Sequence, residues 1–244
     1  MKDSATILVR NLVKSFRLTG SRSTLAVLDI PELHVRGGEC VAVVGPSGSG
    51  KTTLFHLLAG LHTPTHGEVR VNGVSLGALS EKDRDRFRAK NIGYVFQSFN
   101  LLGAFTALEN VLIAMDLSDV VLPEARRPTA RRLLEELGLG DRLHHRSGHL
   151  SHGEQQRVAV ARALANNPGV ILADEPTASV DPETRRIVLD RLLSEARDNG
   201  RILMVATHDH SILPGFDSVV SVSQGKAQEI TREVHDAGVP ANAS

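Results

Sequence analysis

The chain has 244 residues, enough for one large domain or two small ones, with 41% hydrophobic and 23% charged side chains. Its 28 basic and 28 acidic residues cancel to a formal net charge of zero, which removes any whole-chain electrostatic drive toward nucleic acid or acidic membrane. Aromatics make up 3%, without tryptophan, which disfavours a base-stacking surface, and no nucleic-acid partner is expected. The lone cysteine, Cys40, has no partner for an internal disulfide and fits a reducing cytoplasm. Met1–Thr6 shows no signal-peptide pattern, and no apolar run approaches the ~20 residues of a membrane-spanning helix. Any membrane connection is therefore expected to run through a partner protein.

Taken in chain order, Thr6–Leu12 reads as a strand, and Leu25–Val35 as strand material around a turn. Glu39–Val44 is apolar, β-branched at three of six positions and closed by Gly45, as a strand buried on both faces would be. Gly50–Leu61 turns helical, with Leu54, Leu57, Leu58 and Leu61 on one stripe; Gly67–Val74 suggests a strand and turn. Ser80-Glu-Lys-Asp83 opens a charged helix to about Lys90, read as a solvated surface, and Ile92–Gln97 returns to strand composition.

From about residue 98 to 167 the texture is helical. Thr129–Leu137 is an amphipathic helix ended by Gly138, and Glu154–Ala165 is a second, stopped before Pro168. Strands are predicted again at Val170–Ala173, Ile202–Thr207 and Ser218–Val222, with a helix from Pro182 to about Asp198. Such alternation predicts an α/β fold with a mainly parallel sheet. Residues 233–244 carry little apolar material and are expected to form a flexible tail.

Two segments carry chemistry. Gly45-Pro46-Ser47-Gly48-Ser49-Gly50-Lys51-Thr52, followed by Thr53, lies between a predicted strand and a predicted helix, the context a phosphate-cradling loop requires. The glycines let the backbone wrap a polyanion, and the N–H groups with the helix N-terminus favour its charge. Lys51 is expected to reach the β- and γ-phosphates of ATP, and the Thr52 hydroxyl to ligate Mg2+. Val170-Ile-Leu-Ala-Asp174-Glu175 delivers two carboxylates at the ligand-binding edge of a parallel sheet. Asp174 is expected to hold Mg2+, directly or through water, and Glu175 to act as general base on the attacking water.

A third segment, Leu150-Ser-His-Gly-Glu-Gln-Gln-Arg157, resembles the signature of the ATP-binding-cassette (ABC) family, usually Leu-Ser-Gly-Gly-Gln/Glu. Asp174-Glu-Pro-Thr-Ala-Ser-Val-Asp181 and Thr207-His208-Asp209 follow in the family's order, and the likeness runs over about 220 residues. The resemblance implies a phosphate-loop ATPase: one domain over 4–232, its core at about 4–97 and 168–230, with an N-terminal antiparallel region and an inserted helical subdomain at about 98–167. It implies that Phe16 stacks on adenine, that Gln97 senses Mg2+ and contacts a membrane partner, and that His208 touches the γ-phosphate. Ser151 and Gly153, with Glu154 on the same edge, would bind the nucleotide of a second subunit, and Asp181 would lie at the subunit boundary. ATP would thus join two half-sites, most simply in a homodimer.

Ile92–Leu102 and Thr106–Val111 are similar to the exporter-type group, which includes lipoprotein-releasing, macrolide-exporting and cell-division ATPases. The implied protein is an ATP-hydrolysing subunit at the cytoplasmic face of the inner membrane, driving a permease. The alternative within the family is a soluble or regulatory ATPase with no transport role. His152 departs from the signature, standing where its first glycine usually lies, and is expected either to crowd the loop or to raise its flexibility cost, leaving a working but slower site since Ser151 and Gly153 are intact. With His144, His145 and His149 it is read as a solvated or packing histidine and not as a metal ligand.

Overall fold

The computed structural model describes residues 5–17, 20, 23–178 and 180–232; the tail expected from 233 onward lies outside the described residues. Four strands are fully buried, β3 (Cys40–Val44), β6 (Ile92–Val95), β7 (Val170–Asp174) and β8 (Ile202–Thr207), and β9 (Ser218–Ser223) beside them is partly buried. They pair parallel in the order β9-β3-β8-β7-β6. Period-two alternation splits their side chains between two cores. Cys40, Ala42, Ala173, Leu203 and Val205 face one way, while Val41, Val43, Leu172, Met204 and Ala206 face the other.

The second face packs on α1 (Lys51–Leu58) and on an antiparallel region of β1 (Thr6–Arg17), β2 (Thr24–Arg36), β4 (His66–Val71) and β5 (Val74–Ser75). The expected turn inside residues 25–35 is absent. Strand β2 runs straight through Pro31, because the ladder with β1 skips Pro31 and Asn11 opposite it, so no N–H is missed there. A tenth strand, β10 (Lys226–Arg232), was not anticipated; it pairs with β9 through a tight turn at Gln224 and Gly225, both at positive φ.

The first face is covered by α6 (Pro182–Asn199) and by helices inserted between β6 and β7: α3 (Ala107–Ser118), α4 (Pro123–Glu136) and α5 (His152–Leu164). Helix α3 starts at a complete capping box of Thr106 and Glu109, and α4 starts at Pro123, six residues before the predicted pattern. Helix α2 (Glu81–Asn91) has no buried residue and is the solvated surface its composition predicts.

Helix α5 lies against β6 at one point of very close approach. A Cβ on Gly93 would overlap the Ala163 carbonyl oxygen, and Pro168 Cγ would be 2.9 Å away. Gly93→Ala is therefore expected to push α5 off the sheet and to lower the unfolding free energy by about 1–3 kcal/mol, read from urea denaturation. Cys40 is fully buried, and burial, with the Asp217 carboxylate adding to it, pushes its thiol up to about 11. Native protein should resist thiol alkylation at pH 8 and react on addition of denaturant; fast native alkylation would contradict this packing.

Candidate functional site

Strand β3 stops at Val44 and the chain turns back over itself through three glycines at positive φ: Gly45, Gly48 and Gly50. Only at Gly45 and Gly50 does space also forbid a side chain. A Cβ on Gly45 would overlap the Val222 carbonyl, and one on Gly50 would sit 2.8 Å from Leu28 Cδ2. Gly50 is the N-cap of α1 and offers no side-chain acceptor, so the first N–H groups of α1 remain open to a ligand. Lys51, 8% exposed, donates from Nζ to the carbonyl oxygens of Gly45 (2.8 Å) and Pro46 (3.2 Å).

Beside this loop stands the end of β7. Asp174 is 3% exposed, and its Oδ1 is buried without a hydrogen-bond partner. Burial pushes its carboxyl up; a hydrogen bond from Thr52 pulls the other way, Glu175 raises it further and Lys51 lowers it. Glu175 follows in left-handed backbone (φ 49°), its N–H donating to the Ala206 carbonyl at 2.9 Å. That conformation costs a side-chain-bearing residue about 1–2 kcal/mol and turns the carboxylate toward His208, whose Nδ1 lies 2.9 Å from Glu175 Oε2. His208 is carried on a loop that Asp209 fixes: it accepts from Arg185 Nη1 at 2.7 Å and from Ser211, and its own N–H donates to Thr207 Oγ1. Sequence reasoning missed Arg185, because it reaches this loop from another helix, 24 positions away.

Ser47 through Thr53, Gln97, Asp174, Glu175 and His208 line one cleft of about 510 Å³, with Val27 as a wall that sequence reasoning did not include. Phe16 lies outside that lining, at the end of β1. It is 37% exposed, its ring edge-on to His62 at 5.8 Å and Lys14 Nζ 4.8 Å above its face.

The remaining candidates form a separate surface. Ser151 caps α5, accepting from the Glu154 N–H, while the Glu154 carboxylate accepts from the Ser151 N–H at 2.8 Å and from Arg142 Nε at 2.9 Å. Asp181 caps α6 and accepts from the Thr184 N–H and hydroxyl. A Cβ on Gly153 would stand 2.7 Å from Thr184 Oγ1 and 3.1 Å from Asp181 Oδ2, so the starts of α5 and α6 touch. None of Ser151, Gly153, Glu154 and Asp181 lines the cleft holding Lys51. The crowding expected at His152 does not arise within the chain. It is the first residue of a normally capped helix, exposed, with its ring 6.0 Å from that of Phe99.

A family model described as "ABC transporter" matches residues 28–178. A lipoprotein-releasing system ATP-binding protein, LolD, of Xanthomonas campestris is 46% identical over 204 residues, covering 84% of this chain and 85% of that relative. The LolD of Pseudomonas syringae is 42% identical over 229 residues, covering 94% of this chain and the relative's full length. The ATP-binding cassette MJ0796, solved as a dimer in a post-hydrolysis state with ADP and Pi, superposes with a TM-score of 0.85 at 32% identity, covering 92% of this chain and 99% of that one.

Ser151 has a structural task measurable without any ligand. Ser151→Ala removes the acceptor that closes the first turn of α5 and should lower stability by about 1 kcal/mol, seen as a lower midpoint in thermal unfolding.

Proposed function

Because the chain belongs to the ABC transporter family, of which it is an ATP-binding and ATP-hydrolysing subunit, we propose that two copies close on two molecules of ATP. Each nucleotide would lie between the Lys51 loop of one copy and the Ser151–Gly153 edge of the other. The observation that carries this reading is the separation of the two surfaces within one copy: the cleft contains phosphate-binding and carboxylate groups, while Ser151, Gly153 and Asp181 stand outside it. A second chain brings them together.

In this reading the N–H groups of Gly48 and of Gly50 through Thr52 take the β- and γ-phosphates, while the Ser49 N–H is held by the Pro46 carbonyl at 3.2 Å. Lys51 exchanges its contacts with Gly45 and Pro46 for phosphate oxygens. The buried, unpartnered Oδ1 of Asp174, the Thr52 hydroxyl and the Gln97 amide form an oxygen-donor set that fits Mg2+. Magnesium supplies charge neutralisation and orientation of the β- and γ-phosphates. Glu175 accepts a proton from the attacking water, while His208 leaves its contact with Glu175 to hydrogen-bond the γ-phosphate. The start of α5 directs its positive dipole end at the partner's nucleotide, worth about 0.3–1 kcal/mol at such a helix end. Loss of the γ-phosphate removes this joint and lets the copies part. Phe16 is assigned to the adenine side, at the margin of the cleft.

The work performed is proposed to be that of the LolD relatives: driving a permease in lipoprotein release or a related exporter-type stroke. No helix among the described residues is long and apolar enough to cross a membrane. Attachment to the cytoplasmic face of the inner membrane would then come through permease subunits touching the Gln97 loop.

Glu175→Gln is expected to bind MgATP, to hydrolyse it at least about 10²-fold more slowly, and to migrate as a dimer in sedimentation velocity at saturating MgATP. A strictly monomeric variant, alone and with its permease, would sink the two-copy site.

A further inference from the structure

The Gln97 loop contains two consecutive residues in left-handed backbone, Phe99 (φ 59°) and Asn100 (φ 49°). Asparagine tolerates that region, but phenylalanine does so only where its surroundings enforce it. The restraint is visible. Arg162, in the last turn of α5, donates from Nη2 to the Phe99 carbonyl at 2.7 Å and from Nη1 to the Asn100 carbonyl at 2.5 Å. Inside the loop, the Phe99 N–H donates to the Phe96 carbonyl and Ser98 Oγ bonds Asn100 Oδ1, so the guanidinium clasps a turn already closed on itself.

Helix α5 cannot yield beneath this clasp, since its backbone at Ala163 rests on Gly93 of the strand that leads into Gln97. At its other end, the His152 ring lies beside that of Phe99, centroids 6.0 Å apart and planes tilted by 50°. One strained residue therefore touches both the tip of α5 and, through its carbonyl, the last turn.

We infer that Arg162 is a positioning residue for Gln97: by holding the carbonyls of Phe99 and Asn100 it sets the reach of the Gln97 amide into the cleft, and makes α5 the rod joining the Ser151 edge to that amide. The inference rests on the proposed reading in which Gln97 reaches Mg2+ and Ser151 the partner's nucleotide. Two charge-assisted bonds from one planar group fix a loop in a way a single ammonium does not. A movement of the Ser151 tip against the partner's nucleotide is thereby passed to the metal side of the subunit's own nucleotide.

Arg162→Lys, which keeps the charge and one donor, tests this in the full chain, with Arg162→Gln beside it and native circular dichroism required of whichever is used. In hydrogen–deuterium exchange without nucleotide, the amides of residues 97–100 should exchange several-fold faster while those of β6 stay unchanged. Unchanged exchange in the loop would overturn the clasp. The Mg2+ concentration giving half-maximal binding of a fluorescent ATP analogue should rise about tenfold, as when a partner behind a metal ligand is lost. The rate at saturating Mg2+ should stay near wild type. The shift should not add to that of Gln97→Ala. A lowered melting midpoint and rate with no change in Mg2+ dependence would reduce Arg162 to a structural residue and refute the inference. An unmoved Mg2+ dependence in Gln97→Ala itself would instead remove Gln97 from the metal, and the inference with it.

Discussion

A carboxylate at the end of an entirely buried strand, with one oxygen lacking any partner, is the constraint from which the rest of the site follows. Every residue of β7 is buried, and Asp174 ends it without escaping the interior. Leaving such a group unsatisfied costs several times what an ordinary hydrogen bond contributes, so the protein keeps its neighbours limited and specific. Thr52 offers a hydroxyl and Lys51 a positive charge, both from the first turn of α1, and Glu175 adds a competing negative charge. Hydrophobic burial fixes the strand, the strand fixes the carboxylate, and the carboxylate keeps one oxygen unpartnered, the feature on which the proposed Mg2+ site rests.

The same burial separates chemistry from recognition. The parallel strands β3, β7 and β8 end side by side, bringing Gly45, Asp174 and His208 to one edge. The capped starts of α5 and α6 are packed against each other through Gly153 and Thr184 and stay clear of that edge. Arg157 strengthens the junction by donating to Thr184 Oγ1 at 2.9 Å. Asp181 on α6 and Arg185, one turn along, then connect the junction to Asp209 and so to His208.

Legibility in the sequence followed physical locality. The phosphate loop, the Asp174–Glu175 strand end and the self-capped start at Ser80 could be read, because each depends on neighbours within a few positions. Strand β10 could not: its side chains carry little apolar pattern, and it exists through the turn at Gln224–Gly225. The continuity of β2 through Pro31 was hidden because it depends on which β1 residue stands opposite. Arg162, Arg185 and Arg142 were illegible for the same reason, since each acts on a partner 12 or more positions away. The crowding expected where His152 replaces a glycine does not arise within the chain. As the first residue of an exposed helix start, it projects outward beside Phe99.

The three helix starts around the site are not equivalent, and the difference assigns their tasks. Helix α1 has Gly50 as its cap and no acidic residue in its first turn, so nothing of the protein competes with an anion there. Helix α5 carries Glu154 in its first turn, which by itself would repel phosphate. Two contacts answer that charge: the Ser151 N–H and Arg142 both hold the carboxylate, and these bonds lower its pKa from the ordinary value. The pair is partly exposed and adds little to stability, yet it leaves the dipole of α5 facing outward without a free negative charge beside it. Helix α6 has Glu183 in its first turn and Asp181 as its cap, both acidic, with Asp181 committed to Thr184. By charge alone, α1 is the most receptive of the three starts to an anion, α5 less so and α6 least. In the proposed reading this ordering corresponds to nucleotide phosphate lying between α1 and a second chain's α5, with Asp181 at the border between copies.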